Sequence, residues 1–151
     1  MSWNSRLTEL GYVLPEPVTP LAAYVPAVRT GNLVYTSGQL PLVDGVLESK
    51  GKVGSDVHPD DAQVAARVCT LNALAAVDNL VGIDSVRRVV KVVGFVASAA
   101  DFTGQPAVVN GASTLLTEVF GPAGVHARSA VGVAALPIDA PVEVEIIVEI
   151  E

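Results

Sequence analysis

Much of what specialised proteins rely on is scarce in this chain of 151 residues. Cys69 is the single cysteine, so no internal disulfide can form. His58 and His126 are the two histidines, and with Cys69 they supply too few close ligands for a zinc site. Charged residues make up 17% of the chain, below the roughly one quarter of an ordinary soluble domain. Apolar runs extend for a few residues, far short of the ~20 that span a bilayer, so no membrane span is expected. Nine Lys and Arg stand against sixteen Asp and Glu, for a net charge of −7 and a pI near 4.7. No overall basic field exists to collect phosphates, and the densest basic stretch, Arg87, Arg88 and Lys91, is too sparse for nonspecific nucleic-acid binding. The start, Met1-Ser2-Trp3-Asn4-Ser5-Arg6, lacks the basic-then-apolar pattern of a secretory signal, so a cytoplasmic protein is expected. There is no P-loop, no Gly-x-Gly-x-x-Gly, no Gly-x-Ser-x-Gly and no His-Glu-x-x-His.

What is abundant is hydrocarbon. Half of the residues are apolar and the mean hydropathy is +0.49. One domain of this length buries well over half of its unfolded surface. The apolar content exceeds what a monomer's surface easily hides, which predicts an oligomer.

Residues 2–10 fit one or two helical turns with Leu7 and Leu10 on one side, and Pro15, Pro17 and Pro20 keep the next stretch irregular. Ala23–Arg29, Thr30-Gly31-Asn32 and Leu33–Ser37 read as a β-hairpin. A glycine-rich excursion follows through Asp44-Gly45 to Gly54. Pro59, Asp60, Asp61 and the stop at Gly82 delimit a long helix, with Val64, Val68, Leu71, Ala75 and Val81 on the predicted apolar face. Val86–Ala97 is β-branched and reads as a buried strand. A second helix is predicted from about Pro106 to Phe120, with Val109, Ala112, Leu116 and Val119 inward and Gly121-Pro122 ending it. Ala130–Ala135 and Val142–Ile150 are the last strands. In the latter Val142, Val144, Ile146, Val148 and Ile150 form a hydrocarbon face, and Glu143, Glu145 and Glu149 lie on the other. The order β-β-α-β-α-β-β predicts an α+β domain with two helices on one sheet face, leaving the opposite face for a neighbouring subunit.

Few residues suggest chemistry. Cys69, mid-helix, fits a buried packing residue, and His58 a helix cap. Arg128 lies at the entrance to an apolar strand, where a guanidinium could clamp a carboxylate bidentately. Glu143, fifteen residues later, could activate a water if desolvation raised its pKa. Plainer roles also satisfy both: a surface ion pair for Arg128 and a solvated strand position for Glu143.

The segment Tyr35-Thr36-Ser37-Gly38-Gln39-Leu40-Pro41 resembles the Thr-Ser-Gly-Gln-x-Pro signature of the Rid (YjgF, reactive intermediate deaminase) family. Ala127-Arg128-Ser129-Ala130-Val131, Ala135-Leu136-Pro137 and Val142-Glu143-Val144-Glu145 extend the resemblance over roughly residues 20–150, in family order. It implies a chorismate mutase-like fold with a mixed sheet of about five to six strands, a homotrimer, and active sites in intersubunit clefts. The implied reaction is hydrolysis of a small carboxylate-bearing imine or enamine to a 2-oxo acid and ammonia, without metal or cofactor. In that scheme Arg128 holds the substrate carboxylate and Glu143 positions or activates water. Tyr24, Ser37, Gly38, Asn110 and Ala130 match pocket positions of the family. Plainer readings stand beside these: a solvated hydroxyl for Tyr24, a strand-ending turn for Ser37-Gly38, a solvent-facing helical residue for Asn110.

The sequence also departs from the family. His126 stands where many members have proline, as an exposed loop residue or an extra donor to the cleft. Ala130 replaces the cysteine of many active deaminases. Tyr24 follows Ala22-Ala23 rather than Gly-Pro, Thr103-Gly104-Gln105-Pro106 looks inserted, and residues 1–20 form a longer N-terminal segment. Two further functions follow from the resemblance: a noncatalytic trimer binding a small carboxylate or metabolite, and an endoribonuclease, which the acidic charge disfavours.

Overall fold

The long helix is α2 in the computed structural model, which describes residues 2–20 and 23–151. Met1 of the expected N-terminal extension and Ala22 of the Tyr24 segment lie outside the described residues. α2 runs Pro59–Val81 and begins as its sequence predicts. The His58 ring accepts a hydrogen bond from the Asp60 amide at 3.1 Å, Pro59 occupies the first turn, and Gly82 at φ 82° ends the helix. By length and composition α2 is apolar enough to cross a membrane, but 56% of its most apolar stretch is buried within the domain.

The remaining elements are α1 (Trp3–Glu9), β1 (Ala27–Thr30), β2 (Leu33–Thr36), β3 (Leu42–Val43), β4 (Val46–Leu47), β5 (Val86–Ala97), α3 (Gln105–Phe120), β6 (Ala127–Val133) and β7 (Val142–Ile150). Five strands form one mixed sheet in the order β1-β2-β7-β5-β6, in which only β5 and β6 are parallel, joined by the α3 crossover. The β1–β2 hairpin turns on Gly31, at φ 58° in the first central position, where a type II′ turn requires glycine. β1 starts later than predicted, just after Pro26, which has no N–H to donate to a ladder. The glycine-rich excursion contains a second small hairpin, β3–β4, with Asp44 and Gly45 both at positive φ. An Asp-Gly pair between short apolar segments is its sequence signal.

α2 and α3 lie together on one sheet face. The alternation of β7 is as predicted: Val142, Val144, Ile146, Val148 and Ile150 are all buried beneath them. The α3 face is also as predicted, with Val109, Ala112, Leu116 and Val119 buried. The α2 face differs. Its buried side carries Ala62, Ala65, Ala66, Cys69, Ala73, Ala76 and Val77. Of the predicted stripe only Ala75 is buried; Val64 is 45% exposed, and Val68, Leu71 and Val81 are half-buried. Close packing explains the rotation. Gly111 of α3 sits against the Gln63 carbonyl of α2, where a Cβ would collide with backbone, so small residues line the contact and the valines move to its flank.

At the N-terminus α1 acts as a clasp. Trp3 donates its indole N–H to the Val86 carbonyl at 2.7 Å and sets its ring edge-on to Phe120, with centroids 5.1 Å apart. Leu7 is buried beside them.

Candidate active site

β6 begins at Ala127, three residues earlier than predicted, so Arg128 lies inside the strand rather than at its entrance. The cause is register: Lys91–Ala97 of β5 pair with Ala127–Val133 in parallel, placing Arg128 opposite Val92. Val92 in turn faces Ile146, a core position. Arg128 therefore projects to the helix-covered side, at the sheet edge. Its Nη1 donates to Asn110 Oδ1 at 2.8 Å and to Ser113 Oγ at 3.2 Å, and its Nη2 donates to the Pro106 carbonyl at 3.4 Å. Residues 106, 110 and 113 fall on one face of α3, spaced four and three apart.

His126 is half-buried and hydrogen-bonded, not an exposed loop residue. Its Nδ1 lies 2.6 Å from the Gly124 carbonyl and its Nε2 2.8 Å from Ser113 Oγ. Ser113 was not legible as a site residue. Its spacing from Asn110 is the available signal, and only with Arg128 placed opposite does it acquire meaning. The Pro106 carbonyl, a backbone atom, has no sequence signal at all. Ala130 shares the helix side with Arg128, opposite Gly94 and partly buried against the core.

Glu143 lies elsewhere. It pairs with Phe95 on β5 and alternates with the core residues Val142 and Val144, so it projects from the opposite face of the sheet. Two inter-strand spacings, across β5, and three residues separate it from Arg128, roughly 14 Å at the backbone. One chain thus does not bring the two groups together. Glu143 makes no hydrogen bond or ion pair among the described residues. Burial, followed by the nearby negative charge of Glu145, holds its carboxyl above the ordinary carboxylate value. Gly38 lies directly against this carboxylate, and a Cβ there would collide with it.

Around Gly38, the Ser37 hydroxyl donates to the Val25 carbonyl at 2.6 Å and the Ser37 amide to the Pro26 carbonyl at 2.8 Å. Ser37 thus ties the strand end to the segment that carries Tyr24. Tyr24 is 53% exposed. Together with Gly38 it borders a cavity of about 530 Å³ roofed by the proline-rich segment 15–20. Asn72 reaches that cavity from α2, its amide donating to the carbonyls of Leu40 and Leu42 at 3.0 Å each. The predicted site residues therefore form two groups: Asn110, Ala130 and Arg128 on the helix side, and Tyr24, Ser37, Gly38 and Glu143 around the end of β2.

Cys69 is the buried packing residue its position predicts. Burial, then the charge of Glu143, pushes its thiol well above the ordinary range, which keeps it a neutral thiol at neutral pH. Among the described residues no three His, Cys, Asp or Glu side chains gather as metal ligands.

The model of the Endoribonuclease L-PSP family matches residues 15–150. The chain is 43% identical to Protein TCP17 of Trypanosoma cruzi over 148 residues, 97% of this chain and 92% of that one. It is 36% identical to a 2-iminobutanoate/2-iminopropanoate deaminase of Dermatophagoides farinae over 137 residues, 91% of each chain. A crystal structure of a protein of unknown function from Agrobacterium tumefaciens, Atu1372, superposes with a TM-score of 0.91 at 48% identity, covering 99% of this chain and 92% of that one.

Proposed function

The chain belongs to the Endoribonuclease L-PSP family, also called YjgF or Rid, and from that premise we propose that it hydrolyses small 2-imino or enamine acids to 2-oxo acids and ammonia. One observation carries the reading. The guanidinium of Arg128 is anchored by three neutral oxygens and has no acidic partner among the described residues, in a chain of net charge −7. The ion pair between oppositely charged side chains among those residues is Arg6–Glu9. A held guanidinium without a counter-ion suits a ligand carboxylate. The overall negative charge gives no long-range steering toward an anion, so capture is a short-range event.

Glu143 suits the second role. A carboxylate whose pKa is raised by burial is a better proton acceptor than an ordinary one. It takes a proton from water as the oxygen attacks the C=N carbon of the iminium. Glu143 returns that proton to the nitrogen of the resulting carbinolamine; the C–N bond breaks, ammonia leaves, and the hydroxyl loses its proton as the carbon becomes the carbonyl of the 2-oxo acid. Because Arg128 and Glu143 project from opposite sheet faces, a shared ligand requires the two groups from different chains. That favours an intersubunit cleft in a homotrimer. Exposed Val28, Tyr35 and Val131, each 42–53% accessible, offer apolar surface for such contacts. The deaminase relative supports the reaction class.

The test generates imine in place with an amino-acid dehydratase or oxidase and follows ammonia and 2-oxo acid release above the rate in buffer. Arg128→Ala should lose the acceleration and remain folded. Mixing Arg128→Ala chains with Glu143→Gln chains, unfolded and refolded together, should restore part of it, since some clefts then receive both native groups. No acceleration by the parent protein would exclude deamination. Turnover-free carboxylate binding that needs Arg128 but not Glu143 would instead identify a binding protein, and salt-sensitive RNA cleavage an endoribonuclease.

A further inference from the structure

We propose that Ser113 and His126 are positioning residues that aim Arg128, a proposal resting on the reading of Arg128 as the carboxylate binder. The argument is one of donors and acceptors. The Gly124 carbonyl only accepts, so His126 Nδ1, 2.6 Å away, carries a proton. In the neutral ring Nε2 is then an acceptor. Ser113 Oγ, 2.8 Å from Nε2, donates its one proton there. Both lone pairs of the hydroxyl are left free, and one accepts from Arg128 Nη1 at 3.2 Å. The series runs in a single direction: guanidinium to hydroxyl, hydroxyl to imidazole, imidazole to backbone. Each member is oriented by the next, and a hydroxyl that donates to an imidazole is a stronger acceptor for the guanidinium.

The arrangement also determines which edge of Arg128 stays available. Both Nη1 protons are taken, by Asn110 Oδ1 and Ser113 Oγ, and one Nη2 proton goes to the Pro106 carbonyl. The Nε proton and the second Nη2 proton have no partner among the described residues. Nε and Nη2 thus each keep an unpartnered proton, and the edge formed by these two nitrogens is the one that matches the two oxygens of a carboxylate in parallel, bidentate bonds. Without the Ser113 bond the planar group could turn about its last torsions and offer a different pair. Pre-organisation of this kind lowers the ordering cost of binding without adding a contact to the ligand.

The experiment uses the full-length protein and 2-oxobutanoate as the carboxylate probe, with Kd from calorimetric titration and kcat and KM from the coupled imine assay. Ser113→Ala and His126→Leu should each weaken 2-oxobutanoate by about tenfold, the effect of losing one charge-assisted bond. KM should rise with kcat within about twofold, because neither residue touches the reacting atoms. Ser113→Thr, which keeps the hydroxyl, and His126→Gln, which keeps an acceptor, should stay close to the parent. The double variant Ser113→Ala/His126→Leu should lose about as much as either single one, since both act through one bond. Parent-like affinity in both single variants overturns the proposal, as does a double variant whose losses multiply. In either case Arg128→Ala separates the two levels: if it alone abolishes binding, the carboxylate site stands without its positioning series. If Arg128→Ala binds as the parent does, the site itself is wrong.

Discussion

The two groups of site residues are built in opposite ways. On the helix side, Arg128 is held by side chains of Asn110 and Ser113 and by a backbone carbonyl, with His126 behind them. On the open side, Glu143 has no hydrogen-bonded partner among the described residues, and what faces it is the bare Cα of Gly38. The first group is complete within one chain and its geometry is set before any ligand arrives. The second is a partly desolvated carboxylate with no polar partner among the described residues, packed against the backbone of a glycine. In the proposed mechanism orientation and reactivity therefore fall on different faces of one sheet, and conflict between them is avoided: a Glu143 paired to a cation would be a poorer base.

Three substitutions test that contrast. Glu143→Gln removes the proposed base and should lower kcat by about 10²–10⁴-fold, while 2-oxobutanoate still binds through Arg128; equal loss of binding would mean that the two faces are not separate in role. Gly38→Ala comes next. Gly38 does not adopt a positive φ, so the backbone tolerates alanine, but the Cβ displaces the flexible Glu143 carboxylate. A drop in kcat of about tenfold or more with an unchanged melting temperature is expected; a large loss of stability would show Gly38 to be a folding position. A smaller effect follows from Glu145→Gln. The charge of Glu145 helps to hold the pKa of Glu143 up, so its removal should move the acid limb of the kcat/KM–pH profile to lower pH. The plateau should stay within about twofold, since the substitution leaves both Glu143 and Arg128 in place.

The smallest expected effect concerns stability. With its pKa raised in the folded state, Glu143 binds a proton more tightly there than in the unfolded chain. Its contribution is most favourable at low pH and is lost as pH rises through the interval between the unfolded and folded values. Glu143→Gln should therefore melt slightly higher than the parent at pH 7, and the advantage should vanish once both forms are neutral in acid. A variant that melts lower at pH 7 would mean that the carboxylate has a stabilising partner.

Much of this architecture is written in local pattern. The alternation of Val142–Ile150 and the apolar spacing of α3 each report burial directly, because one neighbour layer decides which residues face inward. On α2 the same rule misleads. Its inner face is chosen by how closely two helices approach, so alanine lies inward and Val64 outward. The start of β6 is set by parallel pairing with a strand some thirty-six residues earlier, which no local window registers. For the site, Arg128 and Glu143 stand out as charges in or beside apolar strands. The roles of Ser113 and His126 depend on α3 and β6 meeting, and an isolated serine or histidine carries no mark of that.

Trp3 is the single tryptophan of the chain, and the clasp it makes has an optical consequence. Its indole, bonded to Val86 and set against Phe120, makes ultraviolet emission a report on the seating of α1 and not on the ligand site. An emission shift on heating records release of the N-terminal segment, whereas far-ultraviolet dichroism records loss of α2 and α3. Coincident curves would make the clasp part of one cooperative unit, and an earlier emission change would make it a separately melting one. For the same reason, ligand titrations need a signal other than intrinsic fluorescence.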